Sequence, residues 1–109
     1  MDISVFKLRG VIYSDNIPDY EDSILRQMQD RESPSVILDF EKTRPLGTSP
    51  LNMCLGLSKR MLERNGVLVM AKLPATYDDH IEMLCLSQTL PHYISVGEAI
   101  GAILASRNP

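Results

Sequence analysis

The sequence predicts an α/β fold, with a central sheet that is largely parallel or mixed and is flanked by about four helices. Two observations predict it. The apolar runs SVILDF (35–40) and GVLVMAKL (66–73) are unbroken, which is typical of strands buried on both faces of a parallel sheet. The segment between them has the spacing of an amphipathic helix, so the three elements form a βαβ unit with a right-handed crossover.

The first third of the chain predicts one strand and one helix. ISVFKLRG (3–10) contains β-branched and aromatic residues and ends in a glycine, which indicates a strand. Over 17–28 the apolar residues recur every three or four positions. Asp19, Glu21 and Asp22 fall in the first turn of this segment, where the helix dipole favours acids, so we expect a helix.

The helix of the βαβ unit is predicted over 50–65. Pro50 suits the first helical position because its φ is fixed and it has no N–H to leave unpaired. That makes Ser49 the predicted N-cap, a role worth about 1 kcal/mol. The predicted buried face consists of Leu51, Cys54, Leu55, Ser58, Met61 and Leu62.

The last third predicts two more helices and a short strand. The first helix covers 76–87 and has Tyr77 on its inward face, and the strand HYI (92–94) follows. The last helix begins after Ser95, which forms a capping box with Glu98 three residues on. Its predicted buried stripe consists of Val96, Ile100, Ile103 and Leu104.

Length and charge narrow the classes of protein. A chain of 109 residues fits one domain, 1–109, without a metal or disulfides. Eleven basic and fourteen acidic residues are scattered along it and give a net charge of −3, so we expect no nucleic-acid partner. No apolar run approaches the roughly 18 residues of a membrane span, and no signal-peptide layout is present. We therefore expect a cytoplasmic protein without membrane insertion.

No set of side chains predicts catalysis or metal binding. His80 and His92 stand twelve positions apart, with no carboxylate or thiol at ligand spacing. Cys54 and Cys85 lie among apolar residues and are predicted to be core thiols. We expect no enzyme activity, no metal and no cofactor.

The segments VILDFEKTRPLGTSPLNMCLGL, NGVLVMAKL and YISVGEAI, in this order, resemble the STAS domain of sulphate transporters and anti-sigma-factor antagonists. The resemblance runs over about 6–104. In the family motif a strand ends in Asp, and an Asp-Ser-Ser-Gly-Leu turn then opens a helix. The matching residues here are Asp39 at the strand end, Thr48 and Ser49 at the two serines, and Leu51 at the leucine.

Two positions depart from this motif. Gly47 stands where the family usually has Asp, and Pro50 stands where it usually has Gly. The missing carboxylate bears on regulation more than on the fold, because family members without it act in roles that need no phosphorylation.

The resemblance implies a non-catalytic switch in bacterial transcription regulation. In such antagonists the second serine is phosphorylated by an ATPase-fold serine kinase that is itself the anti-sigma factor, and a PP2C-type phosphatase reverses the reaction. Ser49 is the matching residue, and Thr48 is the second choice. The unmodified protein binds the kinase and the phosphorylated protein does not. The implied partner-binding residues are Gly47, Thr48, Ser49, Pro50, Asn52 and Met53.

Other interpretations stay open. Ser49 fits a helix cap with no further role. A STAS subunit of a phospholipid-transporting ABC system binds its ATPase through the same helix start without phosphorylation. A scaffold or a homo-oligomer of STAS domains is a third possibility. A phosphocarrier enzyme is disfavoured, because it would need Cys or His at this turn.

Overall fold

The computed structural model describes residues 3–45, 47–77 and 90–107. Over these ranges the chain forms four strands, three α-helices and one 3-10 turn at Ala75–Tyr77. The bounds are β1 Ile3–Ile12, α1 Ile17–Met28, β2 Ser35–Pro45, α2 Ser49–Glu63, β3 Val67–Ala71, β4 His92–Tyr93 and α3 Val96–Arg107. The predicted α/β class is confirmed. The described ranges hold three α-helices where about four were expected, and most of the helix predicted over 76–87 lies outside them.

The sheet is parallel throughout, and its strands stand in chain order, β1-β2-β3-β4. Each connection therefore moves one strand along in the same direction. Right-handed crossovers of this kind place all the connecting helices on one face of the sheet. The helix that follows the last strand, α3, packs on the opposite face.

Two cores follow from this arrangement, because successive residues of a strand point to opposite faces. The larger core lies under α1 and α2 and contains Leu8, Ile24, Met28, Val36, Leu38, Phe40, Leu51, Cys54, Leu57 and Met61. The smaller core lies under α3 and contains Ile37, Val69, Ala71, Ala99 and Ile103. The first half of β2 is buried on both faces, as its unbroken apolar run predicts.

Several helix and strand ends lie where the sequence predicts them, and others differ from the prediction. α1 has the predicted bounds, Ile17–Met28, and the backbone N–H of Glu98 donates to Ser95 Oγ at 3.1 Å, so the predicted cap of α3 is confirmed. β2 runs to Pro45, five residues beyond its apolar part. Those residues are polar and pair only with β1, so they carry no apolar signal.

Two leucines predicted to be buried are exposed. Leu62 of α2 is 61% exposed and Leu104 of α3 is 41% exposed. Each directly follows a buried residue, Met61 and Ile103 respectively. One position along a helix turns the side chain by about 100°, which carries both leucines past the narrow stripe that touches the sheet.

The ends of α1 and α2 are joined by one arginine. The guanidinium of Arg64 donates to the carbonyl of Met28 at 2.5 Å, to that of Gln29 at 3.1 Å and to that of Arg31. The carbonyls of Met28 and Gln29 lie at the C-terminal end of α1 and that of Arg31 lies in the turn that follows, so the cation is placed at the negative end of the helix dipole. The chain then passes Gly66, whose neighbour Val67 donates its N–H to the carbonyl of Pro34 at 2.8 Å.

Gly66→Ala should destabilise the protein by about 2 kcal/mol, because the new Cβ would overlap the carbonyl and ring of Pro34. Gly56→Ala is the matched control. Gly56 lies within α2 and has no neighbour within 4 Å of an added Cβ, so alanine should stabilise by about 0.5–1 kcal/mol. Urea unfolding measures both, and equal effects of the two substitutions would contradict this packing.

Candidate functional site

The candidate site is the start of α2, where the chain leaves β2. Gly47 has φ +70°, a backbone conformation that L side chains rarely adopt, so the glycine serves this turn. Thr48 follows as the N-cap and Ser49 is the first helical residue. The three residues therefore present the hydroxyls of Thr48 and Ser49 on the positive end of the helix.

The predicted N-cap at Ser49 is wrong by one residue. The carbonyl of Thr48 accepts the first intrahelical bond, from the N–H of Asn52 at 3.1 Å. Thr48 makes no side-chain cap bond, because its φ of −92° and ψ of −13° are helical and a capping hydroxyl needs an extended backbone. Pro50 lies at the second helical position and has no backbone N–H that could donate to a capping oxygen. Among the described residues, no hydrogen bond uses the Ser49 hydroxyl.

The six residues implied in partner binding divide by exposure. Gly47, Thr48 and Asn52 are exposed and Ser49 is half-buried. Pro50 and Met53 are buried, the latter 3% exposed. The role of all six residues in partner binding stays a prediction. Met53 points into the larger core because it lies beside the Leu51–Cys54 stripe of α2.

A groove of about 270 Å³ runs between the starts of α1 and α2. Its lining consists of Ser14, Ile17, Pro18, Glu21, Ser49, Asn52 and Met53. We call this cavity the α1–α2 groove. It brings Glu21, predicted only as a dipole partner in the first turn of α1, to the same concavity as Ser49.

Tyr77 holds the turn before α2 in place. Its hydroxyl donates to the carbonyl of Gly47 at 2.8 Å, and its side chain is 5% exposed. Burial raises the pKa of Tyr77, so the hydroxyl keeps the proton that it donates. The sequence predicts Tyr77 to point inward, which is confirmed, but no local pattern pairs two residues that stand 30 positions apart.

Asp39, the residue matched to the strand end of the motif, lies inside β2. Lys7 pairs with Asp39 whereas Arg9 pairs with Lys42, so β2 contains one residue more than β1 between these pairs. The extra residue is a β-bulge, which leaves backbone groups without ladder partners. β3 ends opposite Asp39, so the sheet narrows to two strands at this point.

Side chains satisfy the peptide group in the bulge. The carboxylate of Asp39 accepts the N–H of Glu41 at 2.9 Å, and the hydroxyl of Thr43 donates to the carbonyl of Phe40 at 2.8 Å. Both ends of the Phe40–Glu41 peptide are thereby paired. Asp39 is 4% exposed, and its carboxylate stabilises the bulge through this bond.

The described side chains that bear on catalysis are few. Cys54 is buried, and burial raises its pKa to about 12. His92 lies in β4, and His80 and Cys85 are outside the described residues. Across 3–45, 47–77 and 90–107, no three His, Cys, Asp or Glu side chains are grouped to hold a metal ion. None of the helices in these ranges is long and apolar enough to cross a membrane.

Comparison with known proteins gives two findings. A family model described as the STAS domain matches residues 1–99. Among solved structures, the chain is similar to an anti-sigma-factor antagonist (STAS) domain protein from Planctomyces limnophilus, with a TM-score of 0.77 and 18% identity over 94% of this chain and 91% of that one. At this identity the likeness establishes the fold. None of the curated proteins matches the chain.

Tyr77→Phe should speed hydrogen exchange at the start of α2 and cost about 1 kcal/mol, because it removes the bond to Gly47. The matched control is Tyr20→Phe, which removes a hydroxyl bond to the carbonyl of Arg9 and should leave exchange at α2 unchanged.

The stability of the folded protein should also depend on pH through Tyr77, because the folded state holds the Tyr77 proton more tightly than the unfolded chain does. The contribution of Tyr77 to the free energy of unfolding is therefore fully present below pH 10 and is lost as the pH rises above it. The Tyr77→Phe variant should lack this loss, and denaturant unfolding at several pH values measures it.

The Cys54 thiol should resist alkylation at neutral pH in the folded protein and react fully in denaturant, because its raised pKa and burial exclude the thiolate. Peptide mass spectrometry separates Cys54 from Cys85. Labelling of native Cys54 as fast as in denaturant would contradict its placement in the core.

Proposed function

This chain belongs to the STAS domain family, and on that premise we propose that it is a non-catalytic regulatory module that exchanges protein partners through the start of α2. One observation carries the proposal: Ser49, a half-buried residue, is the first residue of α2, and its hydroxyl caps nothing among the described residues. A hydroxyl that the fold does not use can be modified without loss of structure.

The site suits a phosphate sterically and electrostatically. The first turn of a helix exposes unpaired N–H groups and a partial positive charge, which stabilise a phosphate on Ser49. A phosphate on Ser49 would also change the charge of the α1–α2 groove. Of the described residues that line the groove, Glu21 is the one carboxylate and none is basic, so phosphorylation adds about −2 charges to an already acidic concavity. The effect falls on whatever protein docks there.

The proposed partners follow the family. An ATPase-fold serine kinase that acts as an anti-sigma factor docks on the unmodified site, phosphorylates Ser49 and dissociates. A PP2C-type phosphatase then restores the binding form. Thr48, exposed at the N-cap, is the second candidate acceptor. Because the phosphate comes from ATP, we place the exchange in the cytoplasm.

One observation favours a second function. Gly47 occupies the motif position of the acidic residue and adopts φ +70°, so no carboxylate stands directly before the two hydroxyls. A constitutive adaptor that binds the ATPase of a phospholipid-transporting ABC system needs the same docking surface and no phosphorylation.

The test compares Ser49→Asp with Ser49→Ala. Aspartate should weaken binding of the co-purifying kinase or ATPase at least tenfold, whereas alanine should bind like the wild type. Both variants should unfold within about 0.5 kcal/mol of the wild type, because the hydroxyl forms no cap. Calorimetry measures binding and denaturant melts measure stability.

Ser23→Asp is the matched control, because it adds the same charge to an exposed position of α1 outside the α1–α2 groove. It should bind like the wild type. If Ser49→Asp also binds like the wild type, phosphorylation has no role and the adaptor function stands. If Ser49→Asp weakens binding as expected, mass spectrometry of the native protein tests whether Ser49 or Thr48 carries phosphate.

A further inference from the structure

Over residues 3–45, 47–77 and 90–107, the face of the sheet opposite α1 and α2 is covered only in part. α3 packs on the first half of β2 and on β3, through Ile37, Val69 and Ala71. Beyond Asp39, no described element contributes a buried core residue over the second halves of β1 and β2 on this face. The outward-facing residues are exposed along β1 from Val5 onward and along β2 after the bulge. We call this set the basic face: Val5, Lys7, Arg9, Val11, Lys42 and Arg44.

The register places these side chains together. On β1 the four residues alternate with the buried Leu8 and Ile12, so they share the outer face. Arg9 pairs with Lys42 and Val11 pairs with Arg44, which extends the face onto β2.

A cavity confirms this grouping. Lys7, Arg9 and Lys42 line one concavity of about 300 Å³, together with Leu8, Asp39 and Glu41. Val5 and Val11, at 37% and 41% exposure, flank the cations along the strand.

The charge of this region is opposite to that of the whole chain. One ion pair lies at its border, between Lys72 Nζ and Glu41 Oε2 at 2.8 Å. It lowers the pKa of Glu41 and raises that of Lys72. Among the described residues, the four cations of the basic face take part in no ion pair. When Lys72, Asp39 and Glu41 are counted with the basic face, the region contains five basic and two acidic residues, whereas the net charge of the whole chain is −3.

We infer that the basic face is a second docking surface, for a protein partner that presents carboxylates interspersed with apolar side chains. The cations select the carboxylates, and the two valines supply apolar contact that a purely electrostatic surface lacks. A second copy that used the same face would set Lys7 and Arg9 against cations, which is repulsive. A lipid or nucleic-acid surface is disfavoured by the net negative charge and by the carboxylates of Asp39 and Glu41 beside the face.

The basic face lies on the other side of the sheet from α2, so it does not depend on Ser49. One partner bound on each side would make the chain a bridge between two proteins. This inference stands even if the α1–α2 groove binds nothing.

The experiment is an NMR titration of the full chain with three peptides of equal length: one that alternates glutamate pairs with leucine, poly-glutamate and poly-glutamine. The mixed peptide should bind most tightly and poly-glutamine should not bind. Shifts should centre on the basic face, and affinity should fall when salt rises to physiological strength. The double variant Lys7→Gln, Lys42→Gln should weaken binding about tenfold.

The double variant Lys59→Gln, Arg60→Gln is the control, because it removes the same charge from exposed positions of α2. It should leave the affinity within about twofold, and Ser49→Asp should do the same. Equal losses in both double variants, or shifts spread over all cations, would overturn the inference. Binding to vesicles that contain phosphatidylserine, without binding to the mixed peptide, would assign the face to a membrane instead.

Discussion

The position of β2 between two parallel neighbours governs the rest of the structure. Parallel strands cannot be joined by tight turns, so each needs a crossover, and here every crossover advances one strand in the same direction. That geometry gathers α1 and α2 on one face and leaves α3 to cover the other. It also places the start of α2 at the carboxyl edge of the sheet, the edge at which open α/β sheets commonly bind. The candidate site is therefore a consequence of how the core strand is paired.

The bulge divides β2 into two parts with different tasks. Before Asp39 the strand pairs on both sides and is buried on both faces. After Asp39 it pairs with β1 alone and carries exposed cations before it turns towards Ser49. Such a change of environment in one strand requires that the extra backbone groups be satisfied locally. The Asp39 carboxylate and the Thr43 hydroxyl do this, and so an acidic side chain that appears functional in the motif has a structural task here.

The two surfaces at this end of the molecule have opposite charge and lie on opposite sides of the sheet. The α1–α2 groove carries Glu21 beside Ser49, and the basic face carries four cations. A phosphate on Ser49 would raise the contrast further. Because surface charge sets the rate and the choice of encounter more than the affinity, the two sides would draw chemically different partners. Tyr77 holds the turn before α2 in place, because its hydrogen bond links that turn to the segment that follows β3.

Features that depend on near neighbours in the chain could be predicted from the residues alone: the bounds of α1, the cap at Ser95, the buried first half of β2, the order of elements and, through the motif, the position of the candidate site. Four other features emerge only from the folded arrangement: Thr48 is the N-cap, Met53 is buried, Tyr77 holds Gly47 and Asp39 lies within a strand. The reason is physical. A helix period or a cap is produced by side chains within four residues of one another, whereas a bulge, a hydrogen bond across 30 residues or the grouping of charges on one sheet face is set by the register of strands that meet only in the fold.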